Sequence, residues 1–384
     1  MTERSEVQQA VAGPDLRRAA AGTLLASFPG AEVPGWLLRR VAGGLGGVCL
    51  YGSNRRADPT AVAALLHGAR HGVVVALDEE GGDVTRLEAT TGSSLPGTAA
   101  LGAVDDVALT AAVARARGDR LRSVGVDLDL APCADVNSDP ANPVIGVRSF
   151  GADPALVARH TATFVTGLQA AGVAACAKHF PGHGAVAVDS HLALPTLAAP
   201  APLLEARELV PFRAAVAAGV AAVMPGHLLV PALDAEPASV SRRIVGDLLR
   251  GDLGFGGVSI TDAMDMRALA QGAAQIVDAI AALRAGVDLL LLTPDRAAQR
   301  RLEEGLRQAA RRGLVPAAHI RSASARIRAL RHWAGGFAWP DRDLVRSADH
   351  EALAARAAAR AITLVRDDAG LIPLRLAPGE RVAV

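Results

Sequence analysis

Residues 173–184 read Val173-Ala-Ala-Cys-Ala-Lys178-His-Phe-Pro-Gly-His-Gly184. Five apolar residues in succession leave no face for water, the pattern of a strand buried on both sides. The run ends abruptly in a lysine and two histidines, with a Pro-Gly turn signal among them. Residues that carry chemistry are therefore expected at the C-terminal end of a buried strand. On the other side, Pro154–Ala171 has helical spacing.

The same unit recurs along the chain. Apolar runs at Leu24–Phe28, Gly47–Tyr51, Val73–Leu77, Val126–Leu130, Ala221–Met224, Gly257–Ile260 and Val287–Leu292 alternate with helical stretches such as Pro59–Arg70, Val107–Val124 and Pro202–Ala218. Eight alternations predict an α/β architecture, a (β/α)8 TIM-like barrel. A doubly wound sheet is the alternative. It is disfavoured because no Gly-x-Gly-x-x-Gly turn follows the first strand, and Gly43-Gly44-Leu45-Gly46-Gly47 precedes one instead. The barrel is expected over residues 1–334, its last two helices at 296–313 and 316–333. Gly335-Gly336 and Pro340 mark a break. Residues 335–384 are read as a linker with a helix over 348–361, then the start of a truncated second α/β domain. Strands are expected there at Ala361–Val365 and Arg381–Val384.

Composition narrows the function. The chain has 384 residues, 51% hydrophobic and 3% aromatic, with a formal net charge of +1. That balance argues against a basic nucleic-acid binder or an aromatic stacking surface. No apolar run approaches the roughly 20 residues that span a bilayer, and the polar N-terminus lacks a signal-peptide core, which predicts a cytoplasmic protein. Cys49, Cys133 and Cys176 lie in or beside apolar runs and are expected to be buried, reduced thiols. Lys178 is the sole lysine in a chain otherwise served by arginine. A compact ammonium there does something a planar guanidinium cannot.

In a barrel, chemistry gathers at the C-terminal ends of the strands. Asp78-Glu79-Glu80-Gly81-Gly82 follows the third run; Pro132, Asp135, Asn137 and the stretch 142–148 follow the fourth. Lys178 to Gly184 follows the fifth, His227 the sixth, and Thr261-Asp262-Ala263-Met264-Asp265-Met266 the seventh. Asp78 and Asp262 could instead be helix caps, Asp262 opening a helix at Ala263-Met264. Asp127 and Asp129 are read as structural. His67, His71, His160, His319, His332 and His350 are read as solvated or packing residues. His179 and His183 have the spacing of a metal pair on a helix, completed by Asp189, His191 or His227. Pro181, Gly182 and Gly184 oppose a helix there, so no metal and no cofactor is expected. Asp189-Ser190-His191, if extended, points a carboxylate and an imidazole the same way, a proton-transfer dyad on a loop able to move.

These motifs together resemble family 3 glycoside hydrolases, and within them the bacterial β-N-acetylglucosaminidase branch with its Asp-x-His dyad. The carrying residues are Lys178 to Gly184, Asp189-Ser190-His191, Thr261 to Met266, Asp78 to Gly82 with Arg86, Asn142 to Phe150, and Met224 with His227. The resemblance runs from about residue 20 to 330. It implies Asp262 as nucleophile of a retaining mechanism, with His191 as acid/base assisted by Asp189. It implies that Asp78, Arg148, Lys178 and His179 hold the sugar hydroxyls, with Met224 also in the substrate site and Arg86 and His227 supporting its floor. Glu79, Asp83 and Ala185 depart from residues common in the family.

The implied substrate is a small oligosaccharide with a terminal N-acetylglucosamine, derived from chitin or from peptidoglycan during its recycling. Phosphate as acceptor, making the enzyme a phosphorylase, and a β-glucosidase activity are the alternatives within the family. A silent sugar-binding protein and a metal-dependent hydrolase are those outside it. Neither nucleic acid nor a membrane is an expected partner.

Overall fold

The computed structural model describes residues 14–70, 73–340 and 347–381. His71 and residues 382–384 of the last expected strand lie outside these. Each of the eight apolar runs contains a strand: β1 (Leu24–Ala26), β2 (Gly47–Leu50), β3 (Val74–Leu77), β4 (Leu128–Asp129), β5 (Ala174–Phe180), β6 (Ala222–Pro225), β7 (Val258–Ser259) and β8 (Leu290–Leu291). The helices are α1 (Pro14–Gly22), α2 (Gly35–Gly43), α3 (Pro59–Ala69), α4 (Thr98–Val104), α5 (Val107–Ser123), α6 (Pro154–Ala170), α7 (201–217), α8 (Arg242–Asp252), α9 (Gln275–Ala285), α10 (Arg296–Arg311), α11 (Ala317–Gly335) and α12 (Ala348–Ala361).

All strand pairings are parallel, in the order β7-β6-β5-β4-β3-β2-β1-β8. A parallel bridge between Ile260 and Leu289 joins the two ends, so the sheet closes into a (β/α)8 barrel. Alternation within the strands divides the core in two. Leu25, Cys49, Val74, Ala76, Leu128, Ala174, Cys176, Ala222, Val258, Ile260, Leu289 and Leu291 fill the interior. Their neighbours Leu24, Ala26, Val48, Val75, Leu77, Ala175, Val223 and Leu290 pack outward with the helices. Both faces are dry, which is why the strands read as unbroken apolar runs. The three cysteines are buried and free.

Helix starts follow ordinary capping. Asp58, Asp106, Asp153, Ser241, Asp295 and Ser347 each accept a backbone N–H from the first turn of the helix that follows. Among the described residues, no helix is long and apolar enough to cross a membrane.

The expected strand at Ala361–Val365 is absent. Ala361 ends α12, and Ile362 and Val365 are 83% and 91% exposed. A strand needs a neighbour for its backbone donors, and this segment has none among the described residues. The helix before it is attached to the barrel. Leu353 and Ala357 of α12 are buried, and Arg360 pairs with Asp106 at 2.6 Å.

Candidate active site

The inward alternation continues past the apolar layer. Two residues beyond Cys49, Ala76, Cys176, Ala222, Ile260 and Leu291 stand Tyr51, Asp78, Lys178, Met224, Asp262 and Thr293. All six line one cavity of about 530 Å3 at the C-terminal mouth. The barrel wall turns from apolar to polar in a single step.

Lys178 is the centre of a charged row. Its Nζ lies 2.8 Å from Asp78 Oδ1 and 2.6 Å from Glu80 Oε1. Arg148 donates to Glu80 through Nε at 2.9 Å and Nη2 at 2.8 Å. Burial opposes charge on Glu80, Arg148 and Lys178, yet Lys178 and Arg148 hold the Glu80 carboxyl well below its usual range. Asp78 and Glu80 likewise hold Lys178 well above its ordinary value against burial. One ammonium reaches two carboxylates on one strand end and keeps a third donor for a ligand. Asp78 is therefore not a helix cap: among the described residues, no helix starts before Thr98 in this loop. Arg86 stands 3.6 Å from Asp78 Oδ2, and its backbone N–H donates to Glu79 Oε2 at 2.7 Å.

Asp135 fixes the end of β5. It accepts from the His179 and His183 backbone N–H groups at 3.1 and 2.7 Å, from His179 Nδ1 at 2.8 Å and from Cys133 Sγ at 3.0 Å. A carboxylate acceptor puts the proton on His179 Nδ1 and leaves Nε2 available to a ligand. Burial raises the Asp135 pKa, but His179 more than offsets it and the carboxyl stays low. The turn itself requires glycine twice. Gly182 has φ +134°, and a Cβ on Gly184 would lie 1.9 Å from the Val136 carbonyl oxygen.

Asp262 projects into the cavity with Oδ1 accepting from the Ala263 N–H at 2.8 Å. Burial would raise its pKa, but His179, His227, that amide and Lys178 outweigh it and bring the carboxyl to about 2. The expected helix at Ala263-Met264 is absent; residues 263–269 form turns, so Asp262 caps no helix. His227 does not line the cavity. It is fully buried, with Nδ1 2.7 Å from Ser239 Oγ and Nε2 3.1 Å from the Ala263 carbonyl. The carbonyl can only accept, so Nε2 carries the proton and the ring props the peptide beside Asp262. The ring therefore stands behind the cavity wall rather than on it.

Asp189 and His191 do form a pair, with Nδ1 2.7 Å from Asp189 Oδ1. The backbone is not extended. Leu192 N donates to Asp189 O at 2.9 Å, and His191 N donates to Asp189 Oδ1 at 2.8 Å, so an Asx turn brings the two side chains together. The His191 side chain is 63% exposed, yet it borders the cavity. Burial raises the Asp189 pKa, but the hydrogen bonds from His191 outweigh it and hold the carboxyl below its usual value.

Several site residues carried no role in the sequence reading. Glu80 and Asp135 organise the cations and histidines above. Tyr51 Oη and Asp265 Oδ1 are buried with no hydrogen-bond partner among the described residues, and both residues line the cavity. Thr293 donates to the other Asp265 oxygen. The ring nitrogens of His183 are likewise buried, unpartnered and at the cavity wall. Burial and His179 lower its pKa, which keeps the ring neutral.

The donors closest to a metal set are Cys133, Asp135 and His179, whose ligand atoms lie within 4.8 Å of one another. Asp135 is occupied by four donors. Burial and Asp135 push the Cys133 thiol up, so it stays protonated. That chemistry suits a hydrogen-bond cluster rather than a cation. His179 and His183 sit on a turn, not a helix, with ring centroids 5.8 Å apart.

Known proteins share this architecture. Beta-hexosaminidase A of Pseudoalteromonas piscicida is 34% identical over 328 residues, covering 78% of this chain and 54% of its own length. The chain thus spans about half the length of that relative. Beta-hexosaminidase of Thiobacillus denitrificans is 37% identical over 282 residues, 71% of this chain and 78% of its own. The solved glycoside hydrolase family 3 beta-N-acetylglucosaminidase from Paenibacillus sp. str. FPU-7 superposes with a TM-score of 0.85 at 35% identity, covering 92% of this chain and 70% of that one. The family model "Glycosyl hydrolase family 3 N terminal domain" matches residues 46–330, every strand from the second to the eighth, and the chain belongs to that family.

Proposed function

We propose that this protein is a retaining exo-β-N-acetylglucosaminidase. The observation that carries the reading is Asp262, held ionised at the barrel mouth, with His191, hydrogen-bonded to Asp189, lining the same cavity. Asp262 attacks the anomeric carbon and forms a glycosyl ester as the glycosidic bond breaks. His191 gives its proton to the departing oxygen, then takes one from the water that cleaves the ester. Asp189 orients the ring and stabilises its charged form. Asp78, Lys178, Arg148 and His179 are positioned to bind sugar hydroxyls through charge-assisted hydrogen bonds. Met224 offers an apolar wall, and Arg86 steadies Asp78.

The substrate reading rests on the resemblance and on relatives named beta-hexosaminidase. Those names do not favour phosphorolysis or a β-glucosidase. Oligosaccharides from chitin or peptidoglycan, and a cytoplasmic setting, belong to the same proposal. So does the division of the chain into a barrel over 1–334 and a linker leading toward a second α/β domain. Exposed Ile362, Leu364, Val365, Leu371 and Ile372 support the latter.

Release of nitrophenol from the aryl β-N-acetylglucosaminide, beside the matching β-glucoside and with or without phosphate, tests the reading. N-acetyl preference with free sugar released at all phosphate levels is expected. Accumulation of sugar 1-phosphate, or preference for the glucoside, overturns it.

The low Asp262 pKa adds a pH prediction. A carboxyl at about 2 stays charged as pH falls from 7 to 4, whereas one at the usual value of about 4 would be half protonated at pH 4. With an activated aryl glycoside, the glycosylation rate of His191→Ala is expected to fall by less than about 10% between pH 7 and 4, against about 2-fold for an ordinary carboxyl. A limb centred near 4 would show that Asp262 is an ordinary carboxyl.

A further inference from the structure

A second cavity, of about 180 Å3, opens at the opposite end of the barrel, where the strands begin. Arg18 of α1, Arg70 after α3, and Arg328 and Arg331 of α11 surround it, with Ser324 beside them. No carboxylate lines it, and none of the four guanidiniums has an ion-pair partner among the described residues. Arg70 Nη1 donates to the Leu45 carbonyl at 3.4 Å. Arg331 Nη2 donates to the carbonyls of Leu45, at 3.1 Å, and Gly46, while its Nε is buried without a partner. Burial first, then Arg70 and Arg328, lowers the Arg331 pKa to about 10, with Asp127 opposing. Burial and Arg18 lower that of Arg70.

A helix C-terminus explains one of these charges. Arg70 follows α3, where a cation complements exposed carbonyls. Arg18 lies within α1, before its last turn, and Arg328 and Arg331 lie within α11, so that account does not reach them. The neighbouring cavity gives an internal contrast. It is also arginine-rich, but buried Asp288 takes Arg250 at 2.7 Å and Arg326 at 2.8 Å. There the fold supplies a paired carboxylate; the carboxylate acting on Arg331, Asp127, is instead paired with Arg122 at 3.1 Å and with none of the four arginines among the described residues.

We propose that this cavity binds a tetrahedral oxyanion: a phosphate, either free or as the terminal group of a larger molecule. Guanidinium forks match phosphate oxygens in pairs, and the Ser324 hydroxyl adds a neutral donor. The site lies across the barrel from the glycosidase cavity and shares none of its lining residues.

The test uses the full chain, inorganic phosphate and a hexose 6-phosphate, with sodium chloride at matched ionic strength. Phosphate is expected to raise Tm by about 2 °C or more above the chloride control. Arg18 and Arg328 are exposed, so the double variant R18Q/R328Q is expected to fold, to lose the phosphate response, and to melt at or above the parent in phosphate-free buffer. A sugar phosphate binding tenfold tighter than phosphate assigns the terminal-group source; equal affinity assigns the free ion. Equal stabilisation by chloride, a phosphate response that survives in R18Q/R328Q, or a lower Tm of that variant without phosphate each overturns the proposal.

Discussion

Asp262→Ala lowers kcat on an aryl β-N-acetylglucosaminide by about 10⁴-fold or more, while the variant keeps its circular dichroism and Tm close to those of the parent. The size follows from the role: without the carboxylate no glycosyl ester forms, and water must attack an oxocarbenium-like centre unaided. The fold survives because Asp262 makes one backbone hydrogen bond, to Ala263, and no ion pair among the described residues. A small anion can enter the space left by the side chain. Azide is therefore expected to restore turnover and to give the α-glycosyl azide, since it attacks from the face Asp262 occupied. Substantial hydrolysis without azide, or a β-azide product, would remove Asp262 from the nucleophile's place.

His191→Ala separates leaving groups. Departure of a sugar alkoxide needs a proton, and losing general acid assistance slows such steps by about 10²–10⁴-fold. A nitrophenolate leaves with little help. The glycosylation rate is thus expected to fall at least tenfold more for a natural disaccharide than for a dinitrophenyl glycoside. Deglycosylation then limits turnover, a burst of phenolate appears, and azide gives the β-glycosyl azide by intercepting the ester. Equal losses for both substrates with no burst would make the ring a structural element of its turn. His191 is largely exposed and, among the described residues, bonds only within its own turn, so the substitution leaves the barrel intact.

The barrel was legible because a strand dry on both faces can only be written as an apolar run; all eight runs became strands. The same alternation, carried two residues past the last inward-facing apolar residue of each strand, picks out Asp78, Lys178 and Asp262. It would equally have found Tyr51 and Thr293, but a tyrosine closing an apolar run reads as core. Glu80 was hidden in a run of three acids, where a turn, not the strand period, decides which one faces Lys178. Asp135 was hidden because its partners are backbone groups more than 40 positions later. Asp189 and His191 were found by spacing, although a side-chain-to-backbone turn, rather than an extended strand, sets their geometry. The strand at Ala361–Val365 failed because composition records a preference for pairing but not the presence of a partner.

The two sides of the site are built from mechanically different parts. Lys178 stands on a barrel strand, and Asp78 and Asp262 follow the ends of two others whose hydrogen bonds are shared all round the ring, while Asp135 clamps β5 as far as His183. Beyond that clamp, Asp189 and His191 hang on a short turn held by its own hydrogen bonds. Evolution, or an engineer, can therefore exchange the segment after Gly184 as a cassette. Such an exchange alters how protons and acceptors are handled, while the sugar-holding wall keeps its shape.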